Sequence, residues 1–160
     1  MELSHEVDYL QWIFGPYDWV SGHNGRASNF SINVEDNATL IMGKGEFGEN
    51  GQPVTLLAMD FFRLDPTRKC TVIGDKATLL WDGIAGTVSC YTKELKVWNL
   101  LMQAKEDLKL TYDREWDAFL AAIEMNQTPS VSIKEGLQVL QIIDAVRAAK
   151  NYPVYLKDSI

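Results

Sequence analysis

The chain lacks the features that mark several common classes of protein. It has no apolar run approaching the roughly 20 residues needed to cross a membrane, so we expect no transmembrane helix. Basic residues are few: 15 Lys and Arg stand against 22 Asp and Glu, which gives a formal net charge of −7. Nucleic acids and anionic lipid surfaces are bound through basic patches. We therefore expect neither nucleic acid nor membrane as a partner.

Cysteine and histidine are also scarce. Two Cys and two His are too few for a disulfide scaffold, and their wide spacing fits no metal site. Cys70 and Cys90 lie in apolar, strand-like stretches, which predicts buried thiols. The N-terminus shows no basic region followed by an apolar run, so we expect no secretion signal and predict a cytoplasmic location.

What is present is the composition of a globular protein. Hydrophobic residues make up 46% and charged residues 23% of the 160 positions, both ordinary values. A chain of this length buries roughly 68–70% of its unfolded surface. It contains no internal repeat and no low-complexity tract. We therefore expect residues 1–160 to form a single domain with a sizeable core.

The first 15 residues predict one short helix with a sharp stop. Ser4 is a good N-cap, and apolar residues recur at helical spacing at Val7, Leu10 and Phe14. Gly15 stands where a helix commonly ends in a left-handed residue.

A run of strand-like segments follows, with no helical pattern between them. Segment 54–63 is apolar on both faces, which predicts helices on one side and a second covering surface on the other. The other predicted strands are 19–26, 35–43, 69–73, 77–81, 84–92 and 95–101.

The last third predicts two helices. The first carries an apolar stripe at i, i+3, i+4 and i+7, which we expect to face a core: Trp116, Phe119, Leu120 and Ile123. A Ser132–Glu135 capping box opens the second helix, whose expected buried face is Leu137, Leu140, Ile143 and Val146. Residues 154–156 fit a short final strand. Strands grouped together and followed by helices predict an α+β fold with mainly antiparallel pairing.

One segment matches a nucleotide-binding motif by letters alone. Residues 43–48 read G-K-G-E-F-G, the pattern G-x-G-x-x-G. That motif requires a following helix whose N-terminus holds the pyrophosphate, and here E-N-G-Q-P follows instead. The segment therefore predicts a hairpin loop, and we expect no cofactor-binding residues in this chain.

The candidate chemistry lies near the start of the chain. His5 and Asp8 are three apart and share a face of the predicted helix, with Glu2 and Glu6 nearby. A histidine beside carboxylates suits proton transfer near neutral pH. The alternatives are a solvated ring for His5 and a helix-dipole role for Asp8. Because a catalytic constellation is seldom complete so close to a terminus, we expect the groups facing His5 to lie outside this polypeptide.

Several motifs together carry a resemblance to a known family. They are S-H-E-V-D-Y-L at 4–10, V-E-D-N-A at 34–38, D-F-F-R at 60–63 with Pro66 and Arg68, I-G-D-K-A-T-L-L-W-D at 73–82, F-L at 119–120 and S-I-K-E-G-L at 132–137. In order and spacing they resemble the glucose–fructose oxidoreductase, inositol dehydrogenase and rhizopine-catabolism (Gfo/Idh/MocA) family of NAD(P)-dependent dehydrogenases. The resemblance covers nearly all of the chain but only the second half of a typical member.

The resemblance implies a fold and a cofactor arrangement. It implies a large, mainly antiparallel β-sheet with helices packed on one face, of the kind that provides the substrate pocket and the subunit interface. The N-terminal Rossmann domain that binds the nicotinamide cofactor is not among these residues. NAD or NADP is therefore expected in the full-length enzyme and no cofactor on this chain alone, which we expect to be inactive by itself.

The resemblance also implies roles for residues. His5 would act as the acid/base on a hydroxyl of a sugar, nucleotide sugar or cyclitol, with Glu2 and Asp8 as assisting carboxylates. Arg63 and Arg68 are candidates for substrate binding, with a surface salt bridge as the commoner alternative. A homo-oligomer through the sheet face is expected. The other hypothesis is a stand-alone ligand-binding or dimerisation scaffold without catalysis.

Overall fold

The computed structural model describes residues 4–104, 108–148 and 153–156. Within them the fold is α+β, as predicted: a helix, seven strands, two helices and a final short strand. The elements in chain order are α1 Ser4–Phe14, β1 Trp19–Gly25, β2 Asn37–Gly43, β3 Val54–Asp60, β4 Lys69–Ile73, β5 Ala77–Asp82, β6 Thr87–Thr92, β7 Trp98–Gln103, α2 Leu108–Glu124, α3 Ile133–Ala148 and β8 Val154–Tyr155.

The described residues fall into two compact units. The first unit contains the described residues within Met1–Phe62 and Val131–Ile160. The second unit contains the described residues within Arg63–Ser130. The eight strands form two four-stranded sheets, one in each unit, and every pairing is antiparallel. The expectation that residues 1–160 behave as a single domain stays a prediction.

The sheet of the first unit has the strand order β3-β2-β1-β8. Its central strand β2 alternates as predicted: Ala38, Leu40 and Met42 are buried. Leu57 of β3 stands opposite Leu40 on this inner face and is also buried. Two-residue alternation thus assigns one face of the sheet to the core.

Helices α3 and α1 cover the inner face. Helix α3 packs on β1, and α1 packs on α3. Val7, Ile142 and Val146 are completely or almost completely buried there. The buried face predicted for α3 was half wrong: Ile143 and Val146 are buried, but Leu137 and Leu140 are 50% and 54% exposed. Val139 and Ile142 take their places, because the helix presents a face rotated from the predicted stripe.

The outer face of the same sheet, formed by the alternate side chains of its strands, is exposed across β2 and β3 and covered at Trp19 of β1, where Phe47 packs. Ile41, Val54 and Leu56 are 40%, 61% and 70% exposed, and Ile41 and Leu56 stand opposite each other in the register. In β3, Leu57 and Met59 are buried, but Val54 and Leu56 on the opposite face are exposed, so the second covering surface expected for segment 54–63 stays a prediction.

The second unit is a four-stranded meander in the order β4-β5-β6-β7. Its first hairpin closes as predicted around 74–76, where the Gly74 N–H donates to the Ala77 carbonyl at 3.0 Å. Cys70 and Cys90 are of intermediate burial, less covered than expected.

The core-facing role expected for the α2 stripe was wrong in this structure. The four side chains are 49–65% exposed. Among them, Trp116 and Phe119 make an edge-on ring contact with centroids 6.2 Å apart. Helical periodicity identifies an apolar stripe, but it does not identify the surface that covers the stripe.

Candidate functional site

Helix α1 holds the candidate acid/base residue, and its C-terminal end and buried side are well defined. At its C-terminus the Gly15 N–H donates to the Gln11 carbonyl at 2.8 Å. Gly15 has a φ of 77°, a left-handed conformation in which glycine carries little steric cost. Val7 and Leu10 are buried on the α3 side, which fixes the rotation of the helix about its axis.

The opposite side of α1 carries the predicted residues. His5 is exposed and Asp8 is half-buried. At 3.6 residues per turn, His5, Asp8 and Trp12 lie within an arc of about 60°. Trp12 is 81% exposed, so this face offers an imidazole, a carboxylate and an uncovered indole. Periodicity places Trp12 on this face, but only the structure shows the indole to be uncovered.

Two of the predicted roles on this helix remain predictions. The structure places His5 and Asp8 on one accessible face, which is compatible with proton transfer and equally with a solvated helix surface. Glu2 lies outside the described residues.

Arg63 and Arg68 belong to the second unit. Arg63 Nη1 lies 3.8 Å from Asp65 Oδ2 and 3.4 Å from Thr67 Oγ1. The Arg68 guanidinium lies 5.5 Å from the centre of the Trp81 ring, in a cation–π arrangement. Both side chains therefore have local partners of the kind that the surface-contact alternative expects, and their substrate role stays a prediction.

A buried carboxylate in the first unit was not singled out by sequence reasoning. Asp36 has no exposed surface and accepts hydrogen bonds from the Ala27 N–H at 2.7 Å, the Ser28 N–H at 2.9 Å and the Ser28 hydroxyl at 2.5 Å. The Asn37 amide adds a fourth at 3.1 Å. These donors, the Ser28 hydroxyl first, hold the pKa of Asp36 well below its usual range.

Asp36 therefore fixes the loop that precedes β2. Its side chain accepts hydrogen bonds from backbone N–H groups eight or nine residues earlier in the chain. The available sequence signal was an aspartate between a Ser- and Asn-rich loop and a regularly alternating strand, a position that favours side-chain bonding to backbone.

The glycine-rich segment 43–48 is a connection between antiparallel strands, as predicted. The Gly45 N–H donates to Asp18 Oδ2 at 2.7 Å. The Phe47 ring packs edge-on against Trp19 with centroids 4.8 Å apart. The indole Nε1 of Trp19 is buried and has no hydrogen-bond partner among the described residues.

Two searches of the described part of the chain gave negative results. No group of three or more His, Cys, Asp or Glu there is placed to hold a metal ion. None of the described helices is both long and apolar enough to cross a membrane.

The fold is that of an α+β domain, and comparison with known proteins identifies the family. Residues 1–156 match the model of the Gfo/Idh/MocA group, described as the oxidoreductase family, C-terminal alpha/beta domain. The chain belongs to this family. A search of curated proteins found no significant match.

Solved structures with the same fold are distant in sequence. An oxidoreductase from Agrobacterium radiobacter, solved with NAD+, L-tartaric acid and magnesium, is 13% identical with a TM-score of 0.78, over 96% of this chain and 47% of that one. UDP-N-acetylglucosamine 3-dehydrogenase from Acidithiobacillus ferrooxidans is 23% identical with a TM-score of 0.70, over 92% and 45%. The WlbA dehydrogenase from Bordetella pertussis, solved with NADH and UDP-GlcNAcA, is 17% identical with a TM-score of 0.70, over 99% and 45%. The chain spans about half the length of these proteins.

Proposed function

We propose that this chain is the substrate-binding and oligomerisation domain of an NAD(P)-dependent oxidoreductase that acts on a hydroxyl of a sugar, nucleotide sugar or cyclitol. The observation that carries the proposal is the exposed His5 beside Asp8, on a helix whose other side is anchored in the core. Family membership supports the reaction class.

His5 has a defined task in such a reaction. Removing hydride from a secondary alcohol requires that the hydroxyl also lose its proton, and an imidazole is suited to accept that proton near neutral pH. Asp8, one helical turn away, would orient the ring or stabilise its charged form. Glu2, three residues before His5 in the sequence, would assist.

The cofactor is assigned to a part of the enzyme other than this chain. When bound, the nicotinamide accepts or donates the hydride. The glycine-rich segment does not fit the pyrophosphate of a dinucleotide, because it joins two antiparallel strands and its Gly45 N–H is already bonded to Asp18. A Rossmann domain is therefore the proposed partner of this domain, and the chain alone should not turn over substrate.

The substrate class rests on similarity and on the available side chains. Two of the similar structures are described as acting on or binding UDP-sugars. Arg63 and Arg68 are the cationic groups proposed to contact a polar substrate. A cytoplasmic location is proposed with this metabolic role.

We further propose that two copies associate through the outer face of the β3-β2-β1-β8 sheet. Ile41, Val54 and Leu56 expose apolar surface there, and each copy carries a net charge of −7. Two acidic copies repel each other over most of their surface, so a face with little charge is where they can approach. This face would serve equally in the alternative function, a dimerisation scaffold without catalysis.

The decisive experiment uses the full natural polypeptide and the two histidines of the chain. Cofactor-linked turnover is measured for His5→Gln and for the matched control His23→Gln. We expect His5→Gln to lower kcat by about 100-fold or more, the usual scale of general-base catalysis, and His23→Gln to leave it unchanged. Equal turnover in both variants would contradict the role of His5.

A second measurement separates the domain from the scaffold hypothesis. Calorimetry of the 160-residue chain with NADH and NADPH should give no saturable heat. Saturable binding would contradict the assignment of the cofactor to another domain. A full natural polypeptide with no nicotinamide-binding segment would favour the scaffold.

A further inference from the structure

We infer that His23 makes association through the outer sheet face pH-dependent, so that two copies separate when its imidazole is protonated. The inference rests on the oligomerisation part of the proposed function. It concerns the histidine that the proposed catalysis does not use.

His23 lies in the outer face itself. It is exposed on β1, opposite Thr39 of β2, which in turn stands opposite Ala58 of β3. A Cβ built on Gly25 would lie 3.2 Å from its Nε2, so the ring extends along its own strand over Gly25. A second copy packed on this face would take the imidazole out of water.

The outer face around His23 carries few ionisable side chains, and the buried Asp36 lies near the end of β1, where its N–H donates to the Gly25 carbonyl at 2.9 Å. On the outer face, β2 contributes no ionisable side chain, and β3 and β8 contribute Asp60 and Tyr155. Asp60 lies two strands away from His23 and two residues further along its strand. The strand spacing and the rise per residue place it at a distance of roughly 12 Å. Arg26, which follows β1, donates to the Phe30 carbonyl at 2.7 Å.

Burying an imidazolium on such a face is unfavourable. Removing a charge from water without a partner is costly, so the interface favours neutral histidine. Each copy must then release a proton to associate at acidic pH. By linkage, each released proton weakens association by up to about tenfold per pH unit below the titration range.

The small size of the face makes this effect visible. Strands β1 to β3 are each seven residues long; at a rise of roughly 3.3 Å and a span of roughly 10 Å they give a footprint of roughly 220 Å². A standard interface buries about 800 Å² on each partner. Association through this face is therefore weak and transient, and one buried charge on each copy is enough to shift it.

The test is sedimentation equilibrium of the 160-residue chain at pH 8.0 and pH 5.5, at constant ionic strength. For the wild type we expect the dimer Kd to rise by about tenfold or more at pH 5.5. The side chain of His23→Gln stays neutral, so the dimer Kd of this variant should change less than twofold between pH 8.0 and pH 5.5. His5→Gln controls for the other histidine and should behave like the wild type. Ile41→Lys should abolish association at both pH values.

The outcomes distinguish the inference from the proposal beneath it. Monomer at both pH values would overturn the proposed interface and the inference with it. A dimer that is insensitive to pH, or one whose His23→Gln variant still separates at pH 5.5, would overturn only the role of His23. Tighter association at pH 5.5 would overturn the inference and point to His23 facing Asp60 of the second copy.

Discussion

Arg147 near the end of α3 donates two hydrogen bonds to one carboxylate oxygen of Glu35, just before β2. Nη2 lies 2.7 Å and Nε 3.2 Å from Glu35 Oε1. The pair links the helix that covers the core to the strand at the centre of the sheet. Hydrogen bonding from Arg147 is the main reason that the pKa of Glu35 lies below its ordinary value of 4.5.

Arg147→Met should destabilise the chain modestly. The Arg147 side chain is 43% exposed, so solvent screens the pair and the expected loss is about 0.5–1 kcal/mol. Because the pKa of Glu35 is lowered on folding, this contribution is present above pH 4.5 and is lost as the pH falls through the folded-state value. Urea unfolding at pH 7 and pH 3 measures both effects. Lys134→Met, on the same helix, is the control, and an equal loss in both variants would exclude the ion pair as the cause.

Asp36→Asn should destabilise the loop preceding β2 and lower the melting temperature by several degrees. The amide puts a donor where the Ala27 N–H, the Ser28 N–H and the Ser28 hydroxyl now find acceptors, which leaves buried donors unpaired. Folding lowers the pKa of Asp36. The stabilisation of the folded state by the Asp36 carboxylate is therefore fully present above the ordinary aspartate pKa and is lost as the pH falls through the lower pKa of the folded state. Hydrogen exchange at Ala27 and Ser28 should quicken in the variant. Asp75→Asn, in an exposed turn, should leave exchange at both amides unchanged, and unaltered protection in Asp36→Asn would refute the bracing role.

Gly43→Ala should cost about 1–3 kcal/mol, the range for overpacking a filled site. A Cβ on Gly43 would overlap Cζ2 of Trp19. Trp19 is only 3% exposed, so its side chain is enclosed by the rest of the protein. The ring must then move away from Gly43, which disturbs its contact with Phe47. Thermal unfolding measures the loss, and a change in the near-ultraviolet tryptophan signal reports the displaced ring. A neutral substitution would show that the indole can move freely.

Gly136→Ala should stabilise the chain by about 0.5–1 kcal/mol, because alanine loses less backbone entropy than glycine in a helix. Gly136 lies in α3, and a Cβ there meets nothing within 4 Å. This substitution is the matched control for Gly43→Ala, because it adds the same methyl group at a position where the methyl group contacts nothing. Denaturant unfolding that showed a loss of stability would indicate a surface packed against this position.

Local signals in the sequence were sufficient for most elements of the fold. Gly15 marked the C-terminal end of α1, and the Ser132–Glu135 capping box is formed, with the Ser132 hydroxyl 2.8 Å from Glu135 Oε2. Alternation also identified the inner face of β2. These signals succeed because capping and two-residue periodicity involve neighbours in the chain.

Features that depend on distant partners were not predictable in the same way. Periodicity placed Leu140 in the core because it follows Leu137 at helical spacing, but the sheet meets a different side of α3. Likewise, nothing in the local pattern shows that Asp36 reaches back to Ala27 and Ser28. For the candidate site, spacing placed His5 and Asp8 on one face, but periodicity does not show which groups face them in three dimensions.

The pairing of β8 with β1 has a consequence for how the protein is made. Val154 stands opposite Val20, and the Leu156 N–H donates to the Asp18 carbonyl at 2.8 Å. The first sheet and its covering helix α3 therefore combine segments from both ends of the chain, with Arg63–Ser130 between them. During synthesis on the ribosome, β1 to β3 emerge long before α3 and β8 can cover and complete them. A chaperone would be most useful at the stage of synthesis when these strands are still exposed.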